Sequence, residues 1–426
     1  MDAPWLLRLM SMVGLLAMVG LAWLLSEQRT KVNWRLVFWG MVLQFALGVV
    51  VLRTRFGEPF FAWVKAGFDV VTSASDTGAQ FVFGNLTQFF LIERVLVAGP
   101  DGGLVPQEPF AVSAVMGFKV LPLIVFVSGV AAILQHLGVI QSVVRGMAWL
   151  MRRTLKTSGA ETFGAALLVF LGIESVSALG SYLKSMTRSE IFTLMVAFLA
   201  TIAASVMVAY ANFGAEPGHL MAASLMSAPA AIVMAKLLVP ETGAPPTSGA
   251  ERIAIQVESH NVFDAASRGA STGLTMALNV GALLIVFVGM IYLLDLGVAT
   301  LTGGTLAGLL GWVFRPFAFL MGVPPADVAQ VSELLATKSV FNEFLAYENL
   351  QPLIQEQVLS KRAVTITTYA LCGFANPGSL GIMIGAMAGL VPERRHEVAQ
   401  LSAKAFVGGT LAAFTTACVA GILTFE

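Results

Sequence analysis

Long apolar runs, each closed by a short cluster of charge, dominate the chain. About 20 apolar residues cross the hydrocarbon core of a bilayer as a helix. Eight runs reach or approach that length: 6–25, 36–52, 110–134, 189–212, 218–239, 272–294, 363–390 and 399–423. Three further stretches, 58–91, 160–185 and 325–357, are interrupted by charge or glycine and do not read as simple spans. Residues 139–156 follow another rhythm. Val143, Val144, Met147, Leu150, Met151 and Leu155 fall on one helical face, and Arg145, Arg152, Arg153 and Lys156 on the other. That pattern predicts an amphipathic helix in the membrane interface.

The positions of charge order the spans. Arg29, Lys31 and Arg35 follow the first apolar run, whereas a signal peptide carries its charge before the run. The positive-inside rule places this loop in the cytoplasm and the N-terminus outside. Arg145, Arg152, Arg153 and Lys156 are likewise inside, as are the Pro/Gly/Ser-rich loop 240–262 and the group Arg394, Arg395 and His396. The C-terminus then lies outside. The count closes only if 160–185 and 325–357 each enter and leave on one side, so both are expected to be re-entrant hairpins.

Composition agrees. Of 426 residues, 57% are hydrophobic and 12% charged, with a mean hydropathy of +0.81. Soluble proteins carry about 25% charged residues. The expected class is an all-α polytopic membrane protein, which excludes a soluble enzyme, a nucleic-acid binder and a disordered scaffold. The 25 basic and 25 acidic residues balance, so no net field attracts polyanions. Cys372 and Cys418 sit in apolar runs. His136, His219, His260 and His396 lie at segment ends or in loops, with no HExxH among them. These cysteines and histidines build no metal site, and no cofactor is expected.

Charge inside an apolar segment costs about 2.5–3.5 kcal/mol at mid-helix, which makes it a functional candidate. Glu174, in VFLGIESVSALG, and Glu343, beside Asn342 in TKSVFNEFLAYENL, each sit near the middle of an expected hairpin. Irregular backbone at membrane depth is tolerated only where it lines a cavity or is buried in protein. The following spans also match each other. Thr201 and Ser205 lie halfway along one, and Asn376, Pro377, Gly378 and Ser379 halfway along the other. Pro377 removes a backbone donor and disfavours helix at Asn376. Two hairpin-plus-broken-helix units predict an inverted-repeat secondary transporter with its site at the midplane. Carboxylates, an amide and hydroxyls suit a neutral, hydroxyl-rich solute. Lys338, five residues before Glu343, is a candidate counter-charge. An intramembrane enzyme using Glu174 and Glu343 as acid and base lacks a nucleophile, a metal motif and a phosphate loop.

Asn342-Glu343-Phe344-Leu345-Ala346-Tyr347 resembles the second hairpin of concentrative nucleoside transporters. Cys372-Gly373-Phe374-Ala375-Asn376-Pro377-Gly378-Ser379 resembles the broken helix that follows it. ALNVGALLIVFVG at 277–289, the PERR turn at 392–395, the opening helix with LLSEQR and the segment Phe83-Gly84-Asn85 are also similar to that family. The resemblance covers essentially the whole chain. It implies a homotrimer of elevator-type protomers in the cell (inner or plasma) membrane, each with eight transmembrane helices, two re-entrant hairpins and an interfacial helix. The implied parts are a scaffold over 1–138, the interfacial helix over 139–157, a transport part over 158–239, the cytoplasmic loop and a scaffold helix over 240–322, and a second transport part over 323–426. The implied function is nucleoside import by cation symport.

The resemblance assigns the ribose hydroxyls to Glu343, Asn376 and Ser379, with Asn342 adjoining. Phe374 matches an aromatic beside the sugar, and Val206 an apolar contact to the base. The family's Gly-Gln-Thr-Glu in the first hairpin stands here as Leu171-Gly172-Ile173-Glu174. The pair that reads the base is thus replaced by Gly172 and Ile173. A roomier, less polar base pocket follows, and another neutral hydroxyl-rich solute is the alternative substrate. The family's sodium-binding Asn and Ser stand here as Leu167 and Thr201. Leu cannot ligate a cation, which leaves Thr201 and the carbonyls of Phe170 and Ile202 as candidate sodium ligands. Burial disfavours the charged form of a carboxylate, so proton coupling through Glu174 or Glu343 is favoured over sodium.

Overall fold

The computed structural model describes residues 4–87, 90–92, 95–98, 104–107, 110–112, 116–172, 179–247 and 259–425. Seven of its helical stretches are long and apolar enough to cross a membrane. They are α1 (Pro4–Leu24), α2 (Trp34–Arg53), α4 (Met116–His136), the α8–α9 pair (Arg188–Ala200 and Ala204–Asn212), α10 (Pro217–Leu238), α11 (Val262–Thr302) and α17 (Arg395–Leu423). The expected span 363–390 is present as two shorter helices, α15 (Lys361–Leu371) and α16 (Pro377–Leu390).

Burial sorts these stretches into a centre and a periphery. In α8–α9, α10 and α17, 94%, 89% and 83% of the most apolar window is buried, against 11% in α11 and 22% in α4. The central helices pack through small residues. A side chain at Gly408 or Gly409 would strike Val196 or Leu199 of α8. Around this centre lie α13 (Val328–Val340) with α14 (Glu343–Gln355), and α6 (Gly159–Leu171) with α7 (Gly180–Leu183). These occupy the two expected hairpins. α4 and α11 pack along each other, where Gly269 and Gly273 let Ser128 and Val125 approach closely.

Local chemistry fixes where helices start and stop. Thr187 and Glu190 close a capping box at the start of α8. Ser158, Asn261, Thr305, Ser360 and Asn376 accept N-terminal backbone N–H groups of their own helices. Such a cap contributes about 1 kcal/mol. At the break 201–203, Thr201 is extended and its hydroxyl donates to Ala197 O at 2.8 Å. Gly373 holds the second break, at φ +154°. A Cβ there would sit 3.0–3.1 Å from the Leu199 and Ala200 main chain. The two interrupted helices therefore meet at their interruptions.

Several expectations are revised. The stretch 58–91 is not broken by its charges: α3 (Gly57–Phe83) runs through them, because Lys65 and Asp69 pair one turn apart at 3.1 Å on an exposed face. The third span starts at 116, because 110–112 pairs as a strand. Two short antiparallel ladders, β1 (Phe90–Ile92) with β4 (Phe110–Val112) and β2 (Val95–Ala98) with β3 (Leu104–Gln107), lie between α3 and α4. The sixth span is longer than 272–294, since Asn261 caps α11 and Asp264–Arg268 extends it by a polar turn. The amphipathic helix forms as α5 (Val139–Leu155). Its apolar side divides, with Val144, Met151 and Leu155 against the protein and Val143 exposed.

Candidate functional site

Glu343 opens α14 and is 5% exposed. It is placed there by Asn342, whose side-chain oxygen accepts the Leu345 N–H at 2.8 Å and starts the helix. Both carboxylate oxygens are engaged. Tyr210 Oη donates to Oε1 at 2.8 Å, and Asn376 Nδ2 donates to Oε2 at 2.6 Å. Asn376 in turn caps α16: its Oδ1 accepts the Ser379 N–H at 2.8 Å, while Nδ2 also reaches Ser379 Oγ at 3.0 Å. One unbroken polar chain thus joins α9, the α13–α14 turn and the second break. Tyr210 is held by stacking on Tyr347, with centroids 4.4 Å apart, and Tyr347 donates to Thr368 O at 2.8 Å.

Asn342, Glu343, Asn376 and Ser379 face one cavity of about 410 Å³, with Tyr210 and Tyr347 outside its lining. Of the expected binding residues, Gly172, Val206, Asn342, Glu343, Phe374, Asn376 and Ser379 all line it. Phe374 leans on Phe198, with centroids 5.6 Å apart. Gly172 ends α6 with φ +69°, a left-handed conformation suited to glycine, and itself adds no side chain to the cavity lining. Ile173 and Glu174 lie outside the described residues.

Thr201, Phe170 and Ile202, the candidate sodium ligands, do not line this cavity. Thr201 is buried at the first break, and its hydroxyl still has lone pairs free after donating to Ala197 O. Leu167 is fully buried in α6. No group of three or more His, Cys, Asp or Glu side chains that could hold a metal occurs among the described residues.

Lys338 makes no direct ion pair with Glu343, but it lies near enough to act on it as a counter-charge through space. Its Nζ donates to Ala370 O at 2.7 Å, capping the last turn of α15 from inside the protein. A helix C-terminus carries partial negative charge, which suits a cation.

Two features escaped sequence reasoning. The first is Tyr210, which reads as one more aromatic in an apolar run. The second is the far wall of the cavity, supplied by α11, including Thr275, Met276, Asn279 and Phe287. Polar residues spaced three and four apart in an otherwise apolar span were the available signal.

The chain matches three family models: Na+ dependent nucleoside transporter N-terminus over residues 13–86, Nucleoside recognition over 117–217, and Na+ dependent nucleoside transporter C-terminus over 219–421. It is 38% identical to mouse solute carrier family 28 member 3, over 98% of this chain and 59% of that protein. It therefore spans little more than half the length of that relative. It is also 38% identical to the uncharacterized transporter YutK of Bacillus subtilis, over 97% of this chain and 99% of that one. Among solved structures it is similar to CNTnw in an inward-facing substrate-bound state, with a TM-score of 0.87 and 34% identity over 97% of this chain and 98% of that one. An asparagine-to-leucine variant of CNTnw in an intermediate state matches with a TM-score of 0.87 and 34% identity, over 98% of this chain and 99% of that one.

Proposed function

The chain belongs to the concentrative nucleoside transporter family, and from that premise we propose that it imports nucleosides across the cell membrane by cation symport. It is a multi-pass membrane transporter, not an enzyme. The observation that carries the substrate assignment is the Glu343–Asn376–Ser379 chain on the cavity wall. A carboxylate oxygen accepts from a ribose O–H, and an amide beside it both donates and accepts, so a vicinal diol can be held from both sides. Phe374 and Val206 supply apolar surface to the sugar and the base.

Protons are the proposed coupling ion, carried by a buried carboxylate, Glu343 or Glu174. The apolar Leu167 at the position of the family's sodium-binding Asn supports this reading. Thr201 with the Phe170 and Ile202 carbonyls is the competing sodium arrangement. The proposed architecture is eight transmembrane helices and two re-entrant hairpins of inverted topology. The two hairpins with spans four, five, seven and eight move as an elevator against a trimeric scaffold. Both termini face outward.

Substrate class is tested by titrating purified protein with uridine, adenosine, their 2′-deoxy forms and free uracil, and following thermal stabilisation. Uridine or adenosine should stabilise, the 2′-deoxy forms less, and uracil not at all. Glu343→Gln should move the effect to about 10- to 100-fold higher nucleoside concentration. Stabilisation by free base equal to that by nucleoside would contradict the ribose assignment. A response to other neutral polyols with none to nucleosides would favour a different hydroxyl-rich substrate.

A further inference from the structure

Among the described residues the cavity has two walls, and the proposed sugar contacts use only one. The other wall is α11, which packs against α4 rather than with the hairpins. Two contacts fix its register against the site. At one end, Met276 Sδ receives the Ser205 hydroxyl at 3.7 Å, next to Val206. At the other, the Phe287 ring lies 3.6 Å from the Cβ position of Gly378, between Asn376 and Ser379. The base end and the sugar end of the proposed site are thus both marked on α11.

Asn279 lies between these marks and closer to the first. At a rise of 1.5 Å per residue it is about 4.5 Å along the axis from Met276 and about 12 Å from Phe287. Its amide makes no hydrogen bond among the described residues, although it lines the cavity. Thr275, one turn earlier, lines the cavity too, and its hydroxyl donates to Ser271 O at 3.0 Å with its lone pairs still free. An unpaired amide on a membrane helix is costly unless it faces a cavity. On the opposite wall, Gly172 offers no side chain to the base.

We infer that Asn279, with Thr275 beside it, reads the polar edge of the nucleobase from α11 and so sets base selectivity. An amide presents a donor and an acceptor side by side, which matches the alternating edge of a pyrimidine or purine. Recognition then divides by element: α14 and α16 hold the sugar, and α11 reads the base. This rests on the nucleoside reading above.

The test is a matched set of inhibition constants against labelled-nucleoside uptake in proteoliposomes. The competitors are uridine and adenosine, analogues of each lacking one ring nitrogen or exocyclic group, and the 2′-deoxy forms. Wild-type protein should lose about tenfold in affinity for one edge-deleted analogue, the cost of an amide left unpaired once the bound base covers it. Asn279→Leu should bind the parent about tenfold more weakly and lose nothing further for that analogue. The 2′-deoxy penalty should be the same in both proteins. Thr275→Val, a near-isosteric change, should narrow the same discrimination if the leucine variant does not fold. An unchanged analogue profile in either folded variant, or an equal loss for every competitor, would overturn the inference. If the wild-type protein takes up no nucleoside, the underlying nucleoside reading fails, and that result is visible before any variant is made.

Discussion

Glu343 is buried with a donor on each oxygen, and its charge is what the neighbouring groups are arranged around. Glu343→Gln keeps the shape but replaces one acceptor with a donor facing Tyr210 or Asn376. Charge-assisted hydrogen bonds contribute about 1.5–3 kcal/mol each, so nucleoside affinity should fall about 10- to 100-fold, read by calorimetric titration. Asn376→Ala should weaken binding similarly and also lower the melting temperature, since Asn376 caps α16. Glu343 was legible in the sequence because a carboxylate in an apolar run is conspicuous. Asn376 was legible because it precedes a proline in mid-span. Tyr210 was not, because its importance comes from which helices face each other; the α11 wall left only a faint signal, polar residues spaced three and four apart, that does not say which cavity they line.

At the scale of elements, the crossing of the two broken helices positions the site. Gly373 lets one break press on the other, with a Cβ position only 3.0 Å from Leu199 O. Gly373→Ala should cost about 1–3 kcal/mol through overpacking, seen as a lower melting temperature. Substrate affinity should fall with it, because Phe374 and Asn376 are displaced. A second element-level device is Arg362 at the start of α15. It donates to the carbonyls of Gly322, Gly421 and Thr424 at 2.9, 2.7 and 3.0 Å and to Ser11 Oγ at 3.2 Å, tying α1, α15 and α17 together. Arg362→Lys cannot span these acceptors, as its donors share one nitrogen, and should destabilise in the same assay. Apolar run length located most spans well. The stretch 58–91 is not among the spans, as its charges suggest, although an exposed one-turn Lys65–Asp69 pair sits within a continuous helix there; proximity in sequence to Glu343 said nothing about the Ala370 carbonyl that Lys338 meets.

Across the whole molecule, Glu27 in the first loop joins elements far apart in the chain. It meets Arg188 at 3.1 Å and Lys404 at 2.9 Å, and its backbone N–H donates to Leu238 O at 2.9 Å. Burial alone would raise its carboxyl, but Arg188 and Lys404 outweigh this and hold it below its usual range. A lowered value in the folded state adds stability above the unfolded-state value, and that stability is lost as pH falls through the folded one. Because the group is partly exposed, the contribution is below about 1 kcal/mol. Thermal stability should dip on acidification, and Glu27→Gln should show a smaller dip.

Transport itself is the property on which the account turns. The most direct measurement is uptake of labelled uridine and adenosine into proteoliposomes, with a pH gradient and a sodium gradient imposed separately. The account predicts accumulation driven by the pH gradient in the absence of sodium. Accumulation driven by sodium alone would contradict the coupling assignment and return Thr201 and its neighbouring carbonyls to the ion site. No accumulation of either nucleoside by folded protein would contradict the account as a whole.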